Sequence, residues 1–203
     1  MKTIRELKEA LGKVQGPLPY YSLSHAVLLI LALESGPIGR KRISSIMMLG
    51  EGSVRSLISK LREMGWINCS REGCALTELG IENVRELRKC LSGPLELYLR
   101  ELFEGVAYAA LVKCVNYFNL LELRDEAVRC GGRGAVILRK IGGALIFPDT
   151  GEALSKYAPN DSETLERSLK PEEGDLVIIG IGSDKQESKL SAIAPSLLAM
   201  GDP

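Results

Sequence analysis

Residues 50–80, GEGSVRSLISKLREMGWINCSREGCALTELG, constrain the fold of this 203-residue chain more than any other stretch. Val54, Leu57, Ile58 and Leu61 recur at i, i+3, i+4 and i+7, the spacing of one apolar face on an α-helix. The opposite face carries Ser56 and Ser59, flanked by Arg55 and Lys60. Gly65 follows as the left-handed residue that stops the helix. Trp66 and Ile67 begin a strand, residues 70–73 turn it, and Cys74, Ala75 and Leu76 return. A helix followed at once by a small hairpin with a cationic tip is the layout of a winged helix-turn-helix. Small hydroxyls at the middle of a helix allow close approach to a duplex, and cations beside them reach phosphates or guanine edges.

The preceding residues supply what such a unit needs. Residues 24–34, SHAVLLILALE, are nearly all apolar and fit a buried first helix. The run is about half of the ~20 residues that span a bilayer, so no membrane contact is expected. Ser35, Gly36 and Pro37 break it. Residues 39–49 give a second helix that opens on Arg40, Lys41 and Arg42 and buries Ile43, Ile46 and Met47. Residues 49–52 turn the chain into the third helix, over residues 53–64. Three helices with a glycine-bearing turn between the second and third satisfy the helix-turn-helix pattern.

With GEGSVRSLISKLREMGWI, a hairpin and LTELG in place, the chain resembles winged-helix transcriptional regulators. It is most similar to archaeal two-domain proteins that join a winged helix to a C-terminal domain of unknown function. The resemblance covers roughly residues 20–91 well and the remainder loosely. It implies that the third helix enters the major groove and that the wing, residues 67–76, touches the backbone or minor groove. Carried over, Ser53, Arg55, Ser56, Ser59 and Lys60 lie on the recognition helix and Arg71 on the wing, with Lys41 and Arg42 positioning the unit on phosphates. The wing departs from the pattern in one respect: its tip is short and holds Arg71 beside Glu72.

Charge is distributed in the same sense. Residues 1–91 hold 14 Lys and Arg against 9 Asp and Glu, while residues 92–203 hold 12 against 17, so halves of +5 and −5 sum to zero. A basic front and an acidic back agree with nucleic-acid contact confined to the N-terminal half. Residues 1–16 form a charged amphipathic stretch without the apolar centre of a secretion signal, which leads us to expect a cytoplasmic protein. Cys69, Cys74, Cys90, Cys114 and Cys130 are odd in number and scattered, which does not read as a disulfide framework. Inert thiols are the expectation, although Cys69 and Cys74 face each other across the hairpin, where a disulfide also fits. With a single histidine, His25, and no C-x-x-C, neither a metal site nor a cofactor is expected. No G-x-S-x-G, H-E-x-x-H or S-x-x-K set with partners is present, so no catalytic residues are assigned.

Beyond Ser92, Gly93 and Pro94 the pattern changes, which suggests domains over residues 1–92, including an N-terminal helix, and 93–203. Residues 95–103 read as a short linking helix. Residues 105–115 suit a strand and 119–129 a helix. Residues 135–140 and 144–147 suit a hairpin, 161–169 a helix capped by Asp161 or Ser162, 175–181 a buried strand, and 183–200 a helix kinked at Pro195. The order β-α-β-β-α-β-α predicts a ferredoxin-like domain with an added C-terminal helix, and an α+β class for the whole chain.

Two features of this half suggest a small-molecule effector. Gly180, Gly182 and Ser183 end the buried strand at a helix start, where backbone N–H groups can meet an anion. Arg133 and Arg139 lie on a neighbouring element. The competing reading is a turn and cap with solvated arginines. The expected function is therefore that of a regulator that binds double-stranded DNA as a homodimer, with residues 3–14 and 77–91 as amphipathic segments able to pair between subunits. The second domain would dimerise, sense a small molecule, or both. The alternatives are a winged helix that binds protein, and an enzyme housed in the second domain.

Overall fold

The computed structural model describes residues 2–12, 20–103 and 105–201. It is a mixed α+β chain that divides into two units, Met1–Arg88 and Lys89–Pro203. Among the described residues no helix is long and apolar enough to cross a membrane.

The N-terminal unit is mainly helical. Helix α1 (Lys2–Gly12) buries Ile4 and Leu7; Lys13 and Val14 of its expected span lie outside the described residues. Helix α2 (Leu23–Ala32) is buried almost along its whole length, and α3 (Arg40–Met47) buries Ile43 and Met47 but not Ile46. The turn that follows α3 does not use its glycine in the left-handed region. Met48 takes that conformation, at φ 51°, and its N–H caps the end of α3. Helix α4 (Glu51–Glu63) starts two residues before its expected position, so Glu51 and Gly52 form its first turn. Val54, Leu57, Ile58 and Leu61 are its buried face, as their spacing requires. Each contributes roughly 1.5–3 kcal/mol by leaving water. Gly65, at φ 73°, ends the helix as expected.

Strands β1 (Ile67–Cys69) and β2 (Cys74–Leu76) then pair antiparallel with Cys69 opposite Cys74. Those two cysteines form a disulfide. Ile38 adds a bridge to Cys74 through reciprocal backbone hydrogen bonds of 2.9 Å. Gly73 allows this: at φ 130° it sits so close to Ile38 that a Cβ would lie 2.7 Å from the Ile38 carbonyl carbon. Helix α5 (Glu78–Cys90) is capped by Thr77, whose hydroxyl accepts from Gly80 N–H and donates to the Gly65 carbonyl.

The start of α2 makes this unit sensitive to acid. The Ser22 N–H donates to His25 Nδ1 at 3.1 Å, and the Ser22 hydroxyl lies 2.9 Å from the same nitrogen. Burial lowers the His25 imidazole to about 4 from its usual 6.5. Between these values the unfolded chain binds a proton that the folded one refuses, so stability falls as pH drops through that window. Unfolding by urea should show a loss of about 2 kcal/mol between pH 7 and pH 5. His25→Asn should remove most of that slope, and an unchanged slope in the variant would assign the effect elsewhere.

The C-terminal unit is built on a five-stranded sheet, ordered β3 (Leu91–Leu99), β4 (Gly105–Val112), β7 (Leu176–Ile181), β5 (Gly134–Ile141), β6 (Ala144–Ile146). Every neighbouring pair is antiparallel. Helix α6 (Leu120–Arg129), capped by Asn119, and α8 (Lys185–Met200) pack on one face. On the other, Leu97, Leu99, Ala107, Leu138, Val177 and Ile179 meet Leu154 of a 3-10 turn, Ala158, and Leu165 and Leu169 of helix α7 (Pro159–Leu169).

Three expectations are corrected here. Residues 95–103 do not make a linking helix: LELYL alternates with the period of a strand, and its leucines 97 and 99 enter the sheet core. Ser92, Gly93 and Pro94 consequently lie inside β3, at a bulge in its pairing with β4. The sheet order is also not ferredoxin-like. That fold places the third of its four strands between the first and second. Here β4, α6 and β5 keep the split βαβ form, but the strand between β4 and β5 is β7, the most apolar of all, and β6 is left at the edge. Finally, Asp161 does not cap α7. Its buried carboxylate accepts from the backbone N–H groups of Arg100, Glu101 and Leu102 at 3.0, 2.8 and 2.7 Å, which fixes the turn after β3.

The cysteines also depart from the inert-thiol expectation. Besides Cys69–Cys74, Cys90 at the end of α5 and Cys114 just past β4 form a second disulfide, inside the C-terminal unit. The odd count reflects one leftover thiol, Cys130, which burial makes harder to ionise. Scattered sequence spacing hid the second pair because antiparallel β3 and β4 carry position 90 back beside 114.

Candidate nucleic-acid interface

The α3–turn–α4 segment brings together residues that lie 15 positions apart. Arg40, Lys41, Ser44, Glu51, Val54 and Arg55 line a cleft of about 250 Å³. Its polarity follows from the fold of the segment. The apolar stripe of α4 faces inward, which turns Arg55, Ser56 and Ser59 outward. Helix α3 opens on its run of cations, so Arg40 and Lys41 stand at its exposed first turn. The Ser44 hydroxyl donates to the Leu49 carbonyl at 2.5 Å and locks the turn between the helices. The result is a corner with three cations and one carboxylate, Glu51, at its rim.

The sequence-derived residues occupy this surface unequally. Lys41 and Arg55 line the cleft, and Arg42 is exposed on α3 outside it. Ser53 is half-buried. Ser56 is exposed, with its hydroxyl 3.1 Å from that of Tyr21. Ser59 donates to Glu63 at 3.1 Å, and Lys60, half-buried, lies 4.0 Å from the same carboxylate. Glu63 thus occupies the two residues at the C-terminal end of the expected reading face. Arg71 is exposed at the hairpin tip, where Ser70 shapes the turn by accepting from the Glu72 N–H. Arg40 was missed as a site residue although the cation run contained the signal. Tyr21 carried no signal, since its contact with Ser56 spans 35 positions.

The C-terminal candidates fare differently. Gly180 and Gly182 do not open a cradle. A Cβ on Gly180 would sit 2.0 Å from the Ser188 carbonyl oxygen, and one on Gly182 would sit 2.5 Å from both Glu187 Cβ and Ser188 N. These glycines let β7 and the turn after it lie directly against the first turns of α8. The helix start is also filled by its own carboxylates. Asp184 accepts from the Gln186 and Glu187 N–H groups at 2.7 and 2.9 Å, and Glu187 accepts from Ser183 N–H at 2.7 Å. Nor do the arginines converge. Gly134, next to Arg133, pairs with Ile181 at the end of β7, whereas Arg139 pairs with Leu176 at its beginning. Five to six residues of extended chain, about 17–20 Å, separate them. Arg139 instead lies over the Phe118 ring at 5.5 Å. Among the described residues no cluster of His, Cys, Asp or Glu could hold a metal ion.

Comparison with known proteins agrees with the division into two units. Residues 25–82 match the family model described as the PH0730-like N-terminal domain, and residues 104–199 match a domain of unknown function, DUF4443. Among solved structures, the chain is similar to the hypothetical protein PH0730 from Pyrococcus horikoshii OT3. The two are 31% identical over 88% of this chain and 92% of that one, with a TM-score of 0.75. No curated protein matches the chain.

Proposed function

This chain belongs to the PH0730-like family, and from that premise we propose that it is a transcriptional regulator that binds double-stranded DNA through a winged helix-turn-helix. In this reading α2, α3 and α4 are the three helices, and β1–β2 with the Ile38 bridge is the wing. The observation that carries it is the corner at the α3–α4 turn, where Arg40, Lys41 and Arg55 gather on an exposed surface whose inner side is locked into the core. Arg55 and Ser56 sit on the solvent side of α4, where a helix lying in the major groove reads base edges. Arg40, Lys41 and Arg42 are placed to hold phosphates and set the register. The C-terminal unit serves to pair two copies, since one short recognition helix buries little and two half-sites give the needed affinity. An effector site around Gly182 is not part of this proposal, because packing and capping already use those groups.

Fluorescence anisotropy against bound genomic fragments tests it. Arg55→Ala should lose about 1–3 kcal/mol of specific affinity, and mainly against the native site. Lys41→Ala should weaken binding to all sequences and reduce the salt slope by about one unit. Lys60→Ala should change little, because Glu63 already offsets its charge. Binding that is insensitive to salt and to both Arg55 and Lys41 would leave protein recognition as the better account of the same surface.

A further inference from the structure

The C-terminal sheet has one long free edge. Strand β3 pairs with β4 on one side, and among the described residues nothing pairs with the backbone groups on its other side from Leu95 to Leu99. The opposite edge of the sheet is protected, since β6 has three residues and Ile146 is bridged by Ala153. An unpaired edge of several residues templates another strand unless charge, proline or a bulge blocks it. In β3 the proline and the bulge are confined to the first half, at residues 92–95. The second half, LELYL, pairs with β4 in unbroken register and is partly apolar, with Leu95 40% and Tyr98 56% exposed.

The geometry points to a second copy of this chain as the occupant: two β3 edges join antiparallel about a two-fold axis at Tyr98 and make one continuous ten-stranded sheet. A two-fold axis perpendicular to the sheet forces antiparallel pairing of identical strands and requires that opposite residues face the same side. Only registers centred on a residue meet that condition. Centring on Glu96 puts two carboxylates face to face. Centring on Leu97 places Glu96 opposite Tyr98 and Arg100 opposite Pro94, where the bulge disrupts pairing. Centring on Tyr98 places each Glu96 beside the partner copy's Arg100, the first residue past the end of β3, and does so twice.

Cross-strand neighbours of opposite charge stabilise a ladder, and like charges destabilise it. The same register sets Leu97 against Leu99 on the core face and the two Tyr98 rings together on the other. The groups involved are already held on that face. The Arg100 guanidinium lies 5.0 Å over the Tyr98 ring, and Glu96 accepts from Tyr108 and from Lys185 at 2.9 Å. This inference rests on the two-copy assembly proposed above, but not on DNA binding.

The test uses the full chain without DNA, with mass measured by light scattering and sedimentation from about 1 to 100 μM, a range that brackets micromolar dissociation constants. Wild type should have twice the monomer mass at the top of the range. Arg100→Glu and Glu96→Arg, each made alone, should weaken dimerisation at least tenfold. The double variant Glu96→Arg/Arg100→Glu should restore it, because the register still pairs opposite charges. Circular dichroism on each variant reports whether it is folded. As a second readout on wild type, amide exchange within residues 95–99 should speed up at least tenfold on dilution, while β7 amides stay slow. A monomeric wild type overturns both the assembly and the interface. A dimer that ignores the single reversals, or is not rescued by the double one, overturns the interface and leaves the assembly standing.

Discussion

Gly180→Ala should destabilise the C-terminal unit by about 3 kcal/mol, a large effect for adding one methyl group. The reason is positional. Gly180 lies in the central strand β7, hydrogen-bonded between β4 and β5, and cannot shift without disturbing both. Its missing side chain faces the backbone of α8: the added Cβ would lie 2.0 Å from the Ser188 carbonyl oxygen and 2.5 Å from the Ala192 nitrogen. Backbone atoms cannot rotate away as a flexible side chain can, so the whole helix must lift. Lifting it would also loosen Ser191, whose hydroxyl lies 3.3 Å from the Ile181 carbonyl and which packs on Gly132. The measurement is the urea midpoint together with amide exchange of β7. A variant with wild-type stability would show that α8 does not press on the strand as described.

Loss of the disulfide between Cys90 and Cys114 should cost about as much. The bridge closes a loop with a sequence separation of 24, for which the chain-entropy model gives about 3.5 kcal/mol. The pair Cys90→Ser/Cys114→Ser should therefore lower the unfolding free energy of the C-terminal unit by about 3 kcal/mol, and wild type in reductant should approach the variant. Removing Cys69 and Cys74 should cost less, since their loop spans a separation of only 5. If the two double variants were equally stable, loop length would not be what these bridges act through.

The N-terminal unit was legible because its signals are local. The four apolar residues of α4, the stop at Gly65 and the return at Cys74 each act within a few positions, and each stands where the pattern placed it. The cation run at 40–42 was equally visible. What it lines was not, because the cleft forms only when the α3–α4 turn folds back. Local rules mislead at one point: the apolar residues after Pro94 read as a helix, although LELYL alternates as a strand does.

The effector site at Gly182 illustrates a deeper limit. Glycines at the end of an apolar strand have the same sequence signature whether a ligand or a helix approaches them. Only the distance to Ser188 and the hydrogen bonds of Asp184 and Glu187 distinguish the two. The same holds for Arg133 and Arg139, whose closeness in sequence gave no hint that β7 sets them at opposite ends of a strand.

By itself, the sequence determined the class of the chain, the positions of most helices and strands, the basic character of the first half and the inward face of α4. Periodicity, caps and turn residues carry that information over distances of one or two turns. The tertiary structure alone decided which strand stands at the centre of the sheet, which cysteines meet, and which glycines are spacers. It also decided that β3 is left with an open edge. Those outcomes depend on pairings between residues 24 to more than 70 positions apart, which are chosen by the burial of the whole sheet between its helices and leave no mark in any short window of residues.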